Sequence, residues 1–389
     1  MSPKSKREYF KSIAQRYQKA SRKDKSRILA EFCQVCHYHR KYAIAKLNAY
    51  KTIHRKPPGK QKPGPKPVYN QPQLLETLKA IWIGTNLICS KRLKAAIPHW
   101  IGPYQIDNDC LPFDIIKKLL KISPPTIDRL LKPVKHLYRG KGRCTTKPGL
   151  LLKRHIPIKT RQWDEFRPGF LETDTVAHCG TALEGNYAFT TDTVDIATGW
   201  TEQRATYGKG FREIAREIED MEDSLPFAIL GIDFDNGGEF INHFLFDYFQ
   251  KRKKPVQFTR SREYQKNDNA HVEGKNWTHV RQWLGYRRFE DPKIVPMMND
   301  LYKNEWRLYH NFFIPSVKLL SKERIASKTV KRHDKPKTPY QRILESKHIE
   351  KETKQRLRDL FETLNPFKLK RTIDEKIARI HQLARLPSS

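Results

Sequence analysis

Residues 169–206 read GFLETDTVAHCGTALEGNYAFTTDTVDIATGWTEQRAT, and their patterning decides the fold. GFLETDTVAH, 169–178, is rich in β-branched and apolar residues and predicts a strand. NYAFTTDTVDIATGWTEQRAT, 186–206, predicts two more, joined as a hairpin that turns near Ala197, Thr198 and Gly199. Downstream, the pattern alternates. GKGFREIAREIEDMED predicts an amphipathic helix, and PFAILGIDFD, 226–235, a buried strand broken by Asn236, Gly237 and Gly238. EFINHFLFDYFQKR predicts a helix, PVQFTRS a strand, and NAHVEGKNWTHVRQWLG, 269–285, another helix. Three strands followed by alternating helix and strand imply a mixed five-stranded sheet with helices on its faces. A further helix rich in aromatics is expected over residues 296–313.

Upstream, the chain is helical and basic. Lys25 to Phe32 and His39 to Tyr50 carry apolar residues at helical spacing on either side of the break CQVCHY, with Tyr42, Ile44 and Leu47 as a buried stripe. Two short helices around a tight break fit a helix-turn-helix or a plain basic helical hairpin. In the first case His39, Arg40, Lys41 and Lys46 face DNA. Cys33, Cys36, His37 and His39 crowd into seven residues, too close for a zinc knuckle, whose ligand pairs sit on opposed elements. Residues 51–69 hold five prolines, two glycines and no acid, the composition of an extended basic tether or of an arm along a minor groove. Residues 70–138 predict a second helical module. Within it Phe113 to Leu120 and the segment SPPTIDRLLKPVK, 123–135, suggest another helix-turn-helix. Its second helix turns Ile127, Leu130 and Leu131 inward and Thr126, Arg129 and Lys132 outward. A basic linker, 139–162, leads to the core at 163–315, and a basic region, 316–389, follows. The chain is thus read as multidomain, with all-α DNA-binding domains ahead of an α/β core and a small C-terminal region.

The 389 residues carry a formal charge of +34, which calls for a polyanionic partner and makes nucleic acid the leading one. The charge is uneven. Residues 1–70 hold 19 Lys/Arg against 3 Asp/Glu, whereas residues 171–223 hold 4 against 12. Carboxylates repel DNA, so an acidic island in such a chain serves structure or holds cations. The N-terminal segment MSPKSKREYF is not a signal peptide, and no apolar run reaches membrane-spanning length. With scattered cysteines at 33, 36, 89, 110, 144 and 179, this predicts a reducing cytoplasmic location without membrane contact.

Within the island, Asp174 interrupts an apolar strand, where a carboxylate is costly unless paired or metal-bound. Asp235 ends the strand PFAILGIDFD before two glycines, at the kind of strand terminus where α/β sheets hold ligands. Glu273 opens a helix after the polar loop EYQKNDNA. Three convergent carboxylates form an oxygen-only set suited to Mg²⁺ or Mn²⁺, and two such ions promote in-line phosphoryl displacement.

LETDTVAH around Asp174, DFDNGGEF around Asp235 and YQKNDNAHVEGKN around Glu273, with 37 residues between Asp235 and Glu273, resemble the catalytic core of bacterial insertion-sequence transposases related to retroviral integrases. PSVKLLSKER and KTPYQRIL in the tail resemble the same group. The resemblance implies a ribonuclease-H-like fold over residues 165–320 and a DDE triad using two Mg²⁺ or Mn²⁺ ions. Asp174 would bridge both ions, Asp235 would bind one and Glu273 the other. Asp233 and Glu172 are the rivals of Asp235 and Asp174, two residues away on the same strand sides. His178 reads as a buried strand histidine or a reach to the site, and Glu239 as structural. Lys266, Lys275 and Arg281 flank Glu273, facing either DNA or solvent. The implied activity is metal-dependent 3′-end cleavage and strand transfer at the terminal inverted repeats of a mobile element. The partners would be double-stranded transposon ends and target DNA, handled by a dimer or larger homo-oligomer at the bacterial nucleoid. An inactive integrase-like regulator and a nuclease that cuts without joining are the alternatives.

Overall fold

The computed structural model describes residues 1–53, 68–108, 110–138, 166–182, 184–208, 210–234, 248–249, 251–253, 255–260, 270–325 and 328–385. Asp235, Glu239 and Lys266 lie outside them, as does the expected helix EFINHFLFDYFQKR apart from residues 248–249 and 251–252. The chain forms two compact units, Met1–Val68 and Tyr69–Ser389.

The first unit is a three-helix cluster: α1 (Pro3–Lys19), α2 (Arg22–Cys36) and α3 (Arg40–Ile53). Ser2 and Ser21 cap the first two, their hydroxyls accepting the Ser5 and Asp24 amides. His37, in the left-handed conformation at φ 54°, stops α2 and accounts for the break in CQVCHY. Ile13, Ala14, Phe32, Cys36, Ala43 and Leu47 fill the core. The expected stripe is therefore off by one position: Tyr42 is 52% exposed, and Ala43 takes the inner place. The cause is a competing face. Tyr38, Tyr42 and Lys46 are spaced four apart, and the Lys46 ammonium lies 4.6 Å from the Tyr38 ring centre and 5.3 Å from that of Tyr42.

The second unit begins with α4 (Pro72–Gly84), α5 (Ser90–Asp107), α6 (Phe113–Lys121) and α7 (Pro124–Tyr138). On α7, Ile127 and Leu131 are buried, Leu130 and Thr126 are half-buried, and Arg129 and Lys132 are exposed. Next come β1 (Phe170–Ala177), β2 (Ala188–Asp195), β3 (Thr201–Tyr207), α8 (Phe211–Ser224), β4 (Gly231–Phe234) and β5 (Gln257–Arg260). The sheet order is β3-β2-β1-β4-β5, antiparallel on the β3 side of β1 and parallel on the other. The hairpin turns where the sequence suggests. Gly199 takes φ +73°, and the Asp195 carboxylate accepts the Thr198 amide and hydroxyl, at 2.7 and 2.6 Å, and the Gly169 amide at 2.8 Å. Strand β4 is shorter than its apolar run predicts, because the Leu230 and Gly231 amides both turn to the Gly169 carbonyl.

One sheet face, carrying Leu171, Ile232 and Phe234, packs on Ile214, Ile218 and Met221 of α8. The same face buries an ionic knot. Arg204, fully buried, donates to Glu202 at 3.4 Å and to Asp220 of α8, while Arg307 donates to Glu202 at 3.0 Å. Removing one member of such a knot strands buried charge. Arg204→Ala should cost about 3–5 kcal/mol in chemical denaturation, and an unchanged midpoint would mean that the knot is dispensable.

The opposite face is covered by α9 (Ala270–Lys275), which continues as a π-helix over Asn276–Arg281 and a last α turn, Gln282–Leu284. Helix α10 (Ile294–Leu301) runs on through π turns at Tyr302–Trp306 and Tyr309–Phe313. The edge of β3 is closed by side chains. Asn311 accepts the Thr201 amide and donates to its carbonyl, at 2.9 and 2.8 Å, and Asn299 does the same for Ala205 at 2.7 and 2.8 Å.

A hairpin, β6 (Leu319–Ile325) with β7 (Lys328–His333), leads to α11 (Pro339–Glu345), α12 (Lys351–Thr363) and α13 (Pro366–Leu383). Tail helices and early helices share one core. Trp100 of α5 packs edge-on against Phe367 of α13 at 4.9 Å and donates to the Phe313 carbonyl, and Tyr309 donates to the Gly84 carbonyl at 2.7 Å. What composition reads as separate stretches before and after the sheet thus belongs to one packed unit.

Candidate functional site

The site is built on the sheet face beneath α9. Residues paired across neighbouring strands share a face. Asp174 of β1 pairs with Asp192 of β2, and Asp192 pairs with Gln203 of β3. This makes a polar row across three strands. One step along, Asp233 of β4 pairs with Glu172 of β1. Glu172, Asp192, Gln203 and Asp233 are buried and Asp174 is half-buried.

Helix α9 is tied to this face at two points. The Val272 amide donates to Glu172 at 3.1 Å, and the Asn276 side-chain amide donates to Asp174 at 2.7 Å. The other Asp174 oxygen accepts the Thr175 amide at 2.7 Å. Glu273 sits on α9 between the two ties. Glu172, a rival of Asp174 in sequence, thus serves to dock the helix. Asp233 is buried in the row with it.

The remaining expected residues are divided. Lys275 turns inward, its ammonium 3.4 Å from both the Gly199 carbonyl and the His279 ring nitrogen. Desolvation lowers its pKa, and desolvation likewise raises that of the Asp192 carboxyl, so both lean towards neutrality. Arg281 donates to the Ala177 carbonyl at 2.7 Å and stacks on Tyr286, pinning the π-helix to β1. His178 is fully buried, bonded to the Thr190 hydroxyl at 2.8 Å and stacked on Phe289, and burial pushes its pKa down to about 3. It belongs to the core. His39, Arg40 and Lys41 are exposed on the first unit, and Lys46 is held in its aromatic cage.

Asp192 was not singled out by the sequence. The two-residue period of AFTTDTVD puts Asp192 in phase with Thr190 and Val194, but only the pairing of β1 with β2 shows that this is the face of Asp174.

Among the described residues, no group of three or more His, Cys, Asp or Glu is disposed to hold a metal. The chemistry of the donors still fits a hard cation. On the face that carries Asp174, Asp192 Oδ2 and Gln203 Oε1 are buried without a hydrogen-bond partner, as is Oδ1 of Asn276, whose side chain donates to Asp174.

Fold and site together define a mixed α/β protein with carboxylates gathered on one sheet face under a docked helix. No protein-family model matches the chain. It is 36% identical over 337 residues to the uncharacterized protein y4rM of Sinorhizobium fredii (strain NBRC 101917 / NGR234), covering 86% of this chain and 94% of that one. The chain belongs to the family of that protein. Among solved structures, the catalytic core domain of BIV integrase aligns over 46% of this chain and 96% of its own, with 15% identity and a TM-score of 0.29. The HTLV-2 integrase catalytic core domain in complex with magnesium aligns over 42% and 94%, with 15% identity and a TM-score of 0.28. Among the described residues, no helix is long and apolar enough to cross a membrane.

Proposed function

We propose that the protein is a DNA transposase that cleaves 3′ ends and joins them to target DNA at a site made by Asp174, Asp235 and Glu273. The observation that carries this reading is the double tie of α9 to β1. It holds the Glu273 backbone between a link to Glu172 and a link to Asp174. Asp235 follows Phe234, the last residue of β4, and Phe234 pairs with Thr173, the neighbour of Asp174. The sequence motifs supply the rest of the assignment.

Two Mg²⁺ or Mn²⁺ ions bound there would activate an oxygen nucleophile and stabilise the leaving oxygen of the phosphodiester. The protein's own part is to hold and orient. Thr175 and Asn276 fix both oxygens of Asp174, and Glu172 fixes the height of α9 on the sheet. The basic first unit, with exposed His39, Arg40 and Lys41, and α7, with exposed Arg129 and Lys132, would hold DNA phosphates and read the terminal repeats. Two ends are joined together, so a dimer or larger assembly of the chain is expected.

The test is strand transfer by the full-length protein on oligonucleotides matching the ends of the DNA that flanks its gene, with Mg²⁺ or Mn²⁺. Joined products support a transposase, cut but unjoined ends a nuclease, and DNA binding without either a regulator. Short inverted repeats bracketed by a small target duplication are expected in that flanking DNA. Asp233→Asn and Asp235→Asn should separate in this assay: cleavage is expected to survive the first in folded protein and to vanish in the second.

A further inference from the structure

Asp174 and Asp192 face each other across β1 and β2, and opposed residues of such a pair have Cβ atoms about 5 Å apart. Like charges so placed repel, and Asp192 is fully buried. Each carboxylate of the pair accepts a side-chain amide: Asn276 donates to Asp174 at 2.7 Å, and Gln203 to Asp192 Oδ1 at 2.7 Å. Each amide spends its donor on a carboxylate and leaves its own oxygen buried. The result is a set of partnerless acceptors: Asp192 Oδ2 and Gln203 Oε1 on the sheet face, and Asn276 Oδ1 on the helix that covers it. Native interiors rarely leave even one buried acceptor unmet. Acceptors without donors, beside two carboxylates, call for a cation with oxygen-preferring chemistry. Lys275 lies near enough for its charge to act on Asp192, but its hydrogen bonds go to Gly199 and His279, and it leaves the three oxygens without a donor.

We infer that Asp192 is a fourth carboxylate of the site, and that its Oδ2, with the Gln203 and Asn276 oxygens, helps hold a divalent cation shared with Asp174. This deepens the proposed function and rests on it only for the use of the cation, because the row exists whether or not Asp235 acts.

The test is Mn²⁺ binding to the full chain, by calorimetry and by the metal-induced shift in melting temperature. Asp192→Asn is nearly isosteric. It should raise the Mn²⁺ dissociation constant at least about 10-fold, the lower end of what losing a metal-site partner costs. It should also abolish most of the Mn²⁺-induced rise in melting temperature. Asp359→Asn, on the exposed face of α12, should change neither. In EDTA the Asp192→Asn protein should melt no lower than the wild type, since Asn keeps the oxygen that accepts from Gln203 and removes a carboxyl opposed to Asp174. Wild-type Mn²⁺ affinity in folded Asp192→Asn protein overturns the inference, as does a wild type that binds no Mn²⁺. A much lower melting temperature in EDTA overturns it too, by making the Asp192 charge a structural partner. Asp235→Asn separates the two claims. If that variant still cuts DNA, the proposed triad falls while an Asp192-dependent Mn²⁺ site stands; if it is inactive and Asp192→Asn binds Mn²⁺ normally, the triad stands and the fourth carboxylate falls.

Discussion

Asp235→Asn protein should bind end-sequence DNA with wild-type affinity and neither cut nor join it. The exchange keeps size and hydrogen-bonding capacity and removes one negative charge. On the proposed function, a chain with +34 formal charge would hold DNA through its cations, so losing one anion would not weaken the complex. The reaction is another matter. Loss of an outer partner at a metal site costs about 10–100-fold, and loss of an acid that touches the ion should cost more. The expected drop in both cleavage and joining therefore exceeds ~100-fold. Gel-shift titration and product quantification on the same oligonucleotide give the two readings together. Activity within a few-fold of wild type would remove Asp235 from the site, and Asp233, already buried beside Glu172, would be the next acid to replace.

Trp100→Ala should unfold the second unit as a whole. The indole is fully buried and meets Tyr309, Phe313 and Phe367 edge-on, at 6.3, 6.2 and 4.9 Å between ring centres. It joins α5 to the π turn before the tail and to α13. Large aromatic deletions in a core cost about 3–5 kcal/mol, a large share of the 5–15 kcal/mol that typically holds a domain together. For the same reason, a fragment ending at residue 315 should not fold, since it lacks the buried Ile373, Ile377 and Ile380 of α13. Denaturant melts followed by tryptophan fluorescence and by circular dichroism should coincide. A fragment that keeps a cooperative transition would show that the sheet stands without its tail.

The strands around Asp174 were legible because β-branched runs and a Gly-containing turn are local signals. Asp192 was not, for a physical reason. Alternation marks inside and outside only when one sheet face meets water, and β2 is buried along its whole length, from Ala188 to Asp195. The π-helical stretch that starts at Asn276 also escaped, since 3.6-residue periodicity carries no mark for a wider turn. Lys275 and Arg281 read as facing DNA or solvent because the partners that turn them inward, Gly199 and Ala177, lie 76 and 104 residues away in sequence. The tail reads as basic, with Pro-containing loops and two helices, and no fold could be assigned to those helices from the sequence. Their apolar stripes fit grooves made by residues more than two hundred positions earlier, which no local window contains. Asp174 was legible as a costly acid inside an apolar strand; the amides of Thr175 and Asn276 that hold it were not.

The asparagine-sealed edge of β3 limits how this protein can associate. An open strand edge is a template for further strands, and long runs of it invite fibrous aggregation. Here Asn299 and Asn311 occupy both the amide and the carbonyl of Ala205 and Thr201, the ladder positions a newcomer would need. Sheet-to-sheet polymerisation through that side is blocked by two residues that never touch the acids. A chain that must be brought together in several copies on DNA, as the proposed function requires, then has to meet through helices, loops or the nucleic acid itself, and copies crowded on one DNA molecule are kept from fusing into a common sheet along that edge.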